Sequence, residues 1–189
     1  MSQPKISFEF FPPKSLAGSF RLWDCVQTLA PLDPTFVSVT YGAGGTTRKL
    51  THEAVATLHK ETDLKVAAHL TCVDATKAET LEIADSYAAA GVRDIVALRG
   101  DAPKGAEKFT AHKDGFQSSI DLIETLGRTG KFNIRVGAYP DKHPEAVDMQ
   151  ADIDWLKAKI DAGANEALTQ FFFEAETFFR FRDACAAAG

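Results

Sequence analysis

The sequence predicts an α/β fold in which parallel strands alternate with helices, and three observations carry that expectation. Strand-like and helix-like patterns succeed one another six times along 189 residues, at a spacing of roughly 30 residues, the size of a β/α unit. One strand segment, Asp94 to Asp101, is apolar on both faces until its end, which is the mark of a parallel strand covered by other elements. Two junctions echo one another: Ala89-Ala90-Gly91-Val92-Arg93-Asp94 and Asp161-Ala162-Gly163-Ala164-Asn165-Glu166 both drop from a helix through glycine into a strand, and Ala187-Ala188-Gly189 begins a third.

The first strand lies in Ile6 to Lys14 and is closed by Pro12 and Pro13. Side chains alternate across a strand, so Ser7, Glu9 and Phe11 share one face, and Ile6, Phe8 and Phe10 share the other. Glu9 is either an edge carboxylate facing water or a functional acid, because an unpartnered buried carboxylate costs several kcal/mol. A helical pattern opens at Ser19 with Leu22, Val26 and Leu29 on one face, and Pro31 and Pro34 end it. Strand two is Phe36 to Tyr41, closed by the turn Gly42-Ala43-Gly44-Gly45, and Leu50, Ala54, Val55 and Leu58 mark the next helix.

Strand three is Leu64 to Thr71, followed by a helix carrying Leu81, Ala84 and Ala88. After strand four, a polar loop from Ala102 to Gly115 leads to a helix with Ile120, Ile123 and Leu126. Strand five, Phe132 to Tyr139, stops at Pro140; a helix with Ile153, Leu156 and Ile160 precedes strand six, Ala167 to Phe173, and Thr177 to Ala188 is the last helix. Such units fit either a doubly wound sheet or a (β/α)8 barrel. The chain stops where a seventh strand would begin. The expectation is one incomplete barrel domain over residues 1–189, holding the first six of eight units, with the exposed edges of strands one and six covered by another chain if the chain is not itself a truncated form.

A net charge of −5 argues against a nucleic-acid backbone or an anionic membrane surface as partner and favours small-molecule work. There is no apolar run of the roughly 20 residues that span a bilayer and no apolar segment of a secretory signal, so the cytoplasm is the default location. Cys25, Cys72 and Cys185 are far apart, suggest neither disulfides nor a thiolate zinc site, and are expected to be small buried residues.

Polar residues collect at the C-terminal ends of the strands: Glu9, Thr40 and Tyr41, His69, Arg99 with Asp101, Tyr139, and Gln170. In barrels that end is the active face. A doubly wound sheet would instead gather its ligand groups near one switch point, usually beside a glycine-rich phosphate loop, and Gly42 to Gly45 lacks the G-x-G-x-x-G spacing. No metal site is expected. His52, His59 and His112 fall on helix or loop positions that favour solvent, and no H-x-H or H-E-x-x-H spacing occurs. Nucleophilic catalysis lacks a G-x-S-x-G elbow, and Cys72 is the nearest case to a cysteine beside a base. The remaining set suits a planar, polar, partly anionic ligand, with Arg99 as a planar fork and Gln170 for a heterocycle edge. The aromatic run Phe171-Phe172-Phe173, with Phe178, Phe179 and Phe181, is expected mainly in the core.

Taken together, Phe8-Glu9-Phe10-Phe11-Pro12-Pro13-Lys14, Val37-Ser38-Val39-Thr40-Tyr41-Gly42, His69-Leu70-Thr71-Cys72, Ala97-Leu98-Arg99-Gly100-Asp101, Tyr139-Pro140 with His143-Pro144-Glu145-Ala146, and Asp161 to Asn165 with Thr169-Gln170-Phe171-Phe172 resemble bacterial methylenetetrahydrofolate reductase. The resemblance implies a (β/α)8 barrel that passes a hydride from NAD(P)H through FAD to 5,10-methylenetetrahydrofolate, in one-carbon metabolism and methionine biosynthesis. It implies Glu9 as the general acid, with a raised pKa, and Asp101 as the carboxylate that stabilises a cationic folate intermediate. Thr40, Tyr41, His69, Arg99, Gly100, Asp101, Tyr139, His143, Ala146, Asp152 and Lys159 would hold FAD, and Gln170 would contact folate or nicotinamide. A homo-oligomer is implied as well. Trp155 departs from the family pattern, which has a smaller polar residue there. Two other readings remain: another FAD-dependent barrel oxidoreductase, such as a proline-dehydrogenase-like enzyme, and a non-catalytic fragment.

Overall fold

A computed structural model describes residues 4–41, 48–101 and 109–189; the predicted turn Gly42 to Gly45 and much of the predicted loop after Asp101 lie outside them. Six strand–helix units follow in strict alternation: β1 (Ser7–Phe10), α1 (Leu16–Leu29), β2 (Phe36–Val39), α2 (Arg48–Glu61), β3 (Val66–Thr71), α3 (Lys77–Ala89), β4 (Asp94–Leu98), α4 (Ser119–Thr129), β5 (Asn133–Ala138), α5 (Met149–Asp161), β6 (Glu166–Thr169) and α6 (Ala175–Ala188). Every strand pairs parallel with the next, and the sheet order is β1-β2-β3-β4-β5-β6. That order decides between the two candidate architectures. A doubly wound sheet must reverse its strand order at a switch point, whereas a barrel adds each strand beside the last. The fold is a partial (β/α) barrel.

The strand register sorts side chains into two layers. Val37, Val39, Val66, Ala68, Leu70, Ile95, Ala97, Ile134 and Val136 face the helices and join Val26, Val55, Leu58, Leu122, Ile123 and Leu126 in one buried cluster. Burying each such side chain is worth about 1.5–3 kcal/mol, so this layer is the main source of cohesion. On the opposite face, Glu9 pairs in register with Ser38, Ala67 with Asp94, Asp94 with Asn133, and Arg135 with Glu166. This inner face is polar. Arg135 is 2% exposed there, and it bonds Asp94 and Glu166 while its guanidinium lies 4.2 Å from the centre of the Phe36 ring. Asp94 also accepts from Asn133 Nδ2 at 2.7 Å and lies 3.2 Å from Lys65 Nζ.

Local signals fix the element ends. Helix α1 begins three residues before the predicted Ser19, because the Ser15 side chain accepts from Gly18 N and caps the helix there. Thr76 and Glu79 form a reciprocal capping box on α3, and Asp148 caps α5. Gly91 and Gly163, at the two echoing junctions, have φ of 89° and 115°, where a side chain would be strained. Strand β3 ends at Thr71 as predicted, but the other strands are shorter than predicted at their C-terminal ends. β4 stops at Leu98 and β6 at Thr169, so the polar residues that follow leave the ladder.

Three expectations about burial are corrected. Cys25 is exposed, because it faces outward from α1, and only Cys72 is fully buried. His52 is half-buried, stacked on Tyr87 with ring centres 5.3 Å apart, because its side of α2 packs toward α3. Phe171 and Phe173 are 88% and 93% exposed, since β6 has ended and is paired on one side only; Phe181 alone of the aromatic group is fully buried, and Phe172 stacks on Phe178. Among the described residues, no helix is long and apolar enough to cross a membrane.

Candidate active site

Beyond the C-terminal ends of the strands lies a cleft of about 590 Å³, within the range of small-molecule and cofactor sites. Of the residues predicted from the sequence, Tyr41, Arg99, Gly100, Asp101, Tyr139, His143, Ala146, Asp152, Lys159 and Gln170 line it. Strand geometry explains the gathering: parallel strands end at one level, so the residue just past each end faces the same opening. Thr40, Glu9 and His69 are not among the lining residues. Glu9 and His69 form a separate pair on the inner face of β1 and β3, with Ser38 of β2 in register with Glu9.

The Arg99 fork is already engaged. Its Nη1 and Nη2 donate to the two carboxylate oxygens of Glu145 at 2.7 and 3.1 Å, and its guanidinium lies 4.6 Å from the Phe109 ring centre. Glu145 was missed by sequence reasoning, although it stands within the His143-Pro144-Glu145-Ala146 motif; only a bidentate partner in space reveals its role. Bonding to Glu145 raises the Arg99 pKa above its usual value, against burial, which lowers it. Gly100 has φ of 89°, and a Cβ there would meet Val73 Cγ1 at 2.7 Å, so the backbone between Arg99 and Asp101 passes too close to the segment just after β3 to carry a side chain without displacing it.

The loop after β5 is built by its own polar groups. His143 N donates to Asp152 at 2.7 Å, Glu145 N donates to His143 Nδ1 at 3.0 Å, and Lys142 Nζ donates to the carbonyls of His143 and Ala146. Tyr139 meets His143 edge-on, with ring centres 4.6 Å apart. Burial, and next the Asp101 charge, push the Tyr139 pKa up, opposed by its bond with Gln170. Lys159 donates to Gly137 O at 2.9 Å, and burial draws its pKa down. Cys72 is no nucleophile: burial pushes its thiol up to about 11, so it stays protonated near neutrality.

At the second cluster, His69 Nε2 lies 3.2 Å from Glu9 Oε2, and Ser38 Oγ donates to the same oxygen at 3.4 Å. The expected raised pKa is therefore not found here. His69 holds the Glu9 carboxyl below its ordinary value, outweighing burial, because the Glu9 side chain is still 54% exposed. Replacing His69 with alanine removes the largest cause and leaves burial in place. The Glu9 titration midpoint is expected to move upward in that variant, as read by carboxyl-detected NMR; an unmoved midpoint would show that His69 does not act on Glu9.

Among the described residues, the buried Thr71 Oγ1 of the cleft has no hydrogen-bond partner, while the buried Tyr41 hydroxyl lies beside the Arg48 side chain. An unpartnered buried hydroxyl is rare in finished structures and points to a missing polar partner. A partial β/α barrel with a polar cleft at its strand ends that holds a bidentate Arg–Glu pair, and with a separate Glu–His pair on the inner face of its sheet, places the chain in the β/α-barrel class. The particular relationship comes from comparison with known proteins. The family model described as methylenetetrahydrofolate reductase matches residues 1–189, and the chain belongs to that family. It is 48% identical over 184 residues to the 5,10-methylenetetrahydrofolate reductase of Pectobacterium carotovorum subsp. carotovorum, covering 97% of this chain and 60% of that protein. To the 5,10-methylenetetrahydrofolate reductase of Escherichia coli (strain K12) it is 47% identical over 187 residues, covering 99% of this chain and 61% of the relative. The chain thus spans about 60% of the length of these relatives. The fold is shared with 2,3-dimethylmalate lyase, a member of the PEP mutase/isocitrate lyase superfamily, at a TM-score of 0.64 and 12% identity, over 96% of this chain and 64% of the other.

Proposed function

We propose that this chain provides the flavin-binding and proton-donating part of a reductase that converts 5,10-methylenetetrahydrofolate to 5-methyltetrahydrofolate with NAD(P)H as hydride source and FAD as cofactor. The observation that carries the reading is the convergence of Arg99, Asp101, Tyr139, His143, Asp152, Lys159 and Gln170 on one cleft. The cleft suits FAD chemically: the buried Thr71 Oγ1 awaits a polar partner, Lys159 and the Glu145-paired Arg99 bring cationic groups, and Tyr139 and Trp155 supply aromatic surface. When bound, FAD would relay the hydride from nicotinamide to the folate methylene carbon.

The chain's own residues supply the rest. Glu9 delivers a proton to N10 of the folate, opening the five-membered ring to an electrophilic cation. Asp101, exposed at the end of β4, places a fixed negative charge where that cation develops. Gln170, which lines the cleft with Tyr139, offers both donor and acceptor to the pterin edge or the nicotinamide amide. Glu9 is held ionised in the free protein, so it must gain a proton on the way to the reactive complex. Folate stacked over its exposed side would displace water, and desolvation is the cause that raises a carboxyl pKa. A cytoplasmic location and a homo-oligomeric state belong to the same proposal.

The absorption spectrum of the purified protein, before and after addition of FAD, tests the cofactor, and NADH oxidation with methylenetetrahydrofolate or menadione as acceptor tests the reaction. Flavin bands with turnover of both acceptors are expected. A protein that takes up no flavin sinks the proposal, and turnover of menadione without folate reduction would favour another flavin barrel oxidoreductase.

A further inference from the structure

Trp155 is a large aromatic side chain that the core does not use. It is 45% exposed, while Ile153 and Leu156 of the same helix turn inward. Residues four apart share a helix face, and Ala151, Trp155 and Lys159 all line the cleft wall. Lys159 directs its ammonium to Gly137 O, and beside the Asp152 carboxylate the same cleft lining holds small and apolar groups: Ala151, Ala146 and Val147, the last 86% exposed.

The cleft lining is therefore of two kinds. Arg99, Asp101, Tyr139 and Gln170 offer charges and hydrogen-bonding groups, whereas Trp155 offers a flat aromatic face. A ligand with one polar ring system would use only the first kind. We infer that Trp155 is the stacking platform for a second, purine ring, so that the cleft holds a dinucleotide by both of its heterocycles, with the adenine on the indole. This deepens the flavin reading and rests on it. Stacking on an exposed indole suits adenine because the contact needs no hydrogen-bond register, only a π-face and the displacement of water from both surfaces.

The chain has two tryptophans, so in a Trp23→Phe background Trp155 is the sole indole reporter. ADP does not absorb where indole emits, so quenching by ADP reports contact and not energy transfer. Saturable quenching of Trp155 emission by ADP is expected. Trp155→Ala should weaken FAD binding roughly tenfold and leave FMN binding unchanged, as loss of one base–aromatic stack implies, and Trp155→Phe should recover most of the loss. The inference is overturned if millimolar ADP leaves the emission unchanged, or if the ratio of FAD to FMN affinity is the same in Trp155→Ala as in the parent. A parent protein that binds neither flavin but is still quenched by ADP retains the purine platform and defeats the flavin reading, so the two failures are separable.

Discussion

Glu9→Gln is expected to slow reduction of the folate substrate by a factor of about 10²–10⁴, the usual contribution of a positioned general acid, while NADH oxidation with menadione proceeds at the parent rate. The split follows from where Glu9 stands. It sits apart from the cleft-lining residues, on β1 beside His69, so its loss should spare cofactor binding and reduction and remove only the proton delivered to the folate. Glutamine keeps the size and the acceptor toward Ser38 but has no acidic proton. Steady-state turnover with each acceptor checks it. Folate reduction at the parent rate would remove Glu9 from the mechanism, whereas equal loss with both acceptors would make it a flavin-site residue instead.

Asp94→Ala is expected to lower the unfolding free energy by about 3 kcal/mol, the low end of the cost of breaking a buried ion pair. Its target is the polar inner face of the sheet. The Asp94 and Arg135 side chains are 7% and 2% exposed, so removing the carboxylate leaves the guanidinium with Glu166, which is 51% exposed, and the Phe36 ring. Because the penalty comes from the stranded charge, the double variant Asp94→Ala/Arg135→Met should be less destabilised than Asp94→Ala alone. Burial raises the Asp94 pKa most, yet bonds from Asn133, Arg135 and Lys65 together hold it below its ordinary value. Stability from a depressed carboxyl is present above the unfolded pKa and lost as pH falls through the folded one. The gap between parent and variant should accordingly be full above about pH 5 and shrink in acid, measured by urea unfolding across pH. A gap that does not change with pH would show that the loss comes from packing.

How much of this was legible in the sequence differs by layer. Strand–helix alternation, glycine junctions and caps are local, so six units could be counted in order and their polar ends named. Ten of the named residues, among them Arg99, Tyr139, Lys159 and Gln170, do line one cleft. The charged network around Arg135 was not legible, because Asp94, Arg135 and Glu166 are distant in sequence and meet only through register across three strands. Periodicity likewise could not tell that Phe171 and Phe173 face outward, since an apolar run reads alike whether or not a neighbouring strand covers it.

By itself, the sequence determined the kind of unit, the family resemblance and the residue types available for acid–base and ligand chemistry, because these depend on local pattern and side-chain identity. Only the tertiary structure decided that the strands add in sequential order, that Glu145 already fills the Arg99 fork, and that His69 holds the Glu9 carboxyl below its ordinary value. The physical reason is that strand order, ion pairing and pKa depend on distances between residues far apart in the chain, and those distances exist only once the sheet has formed.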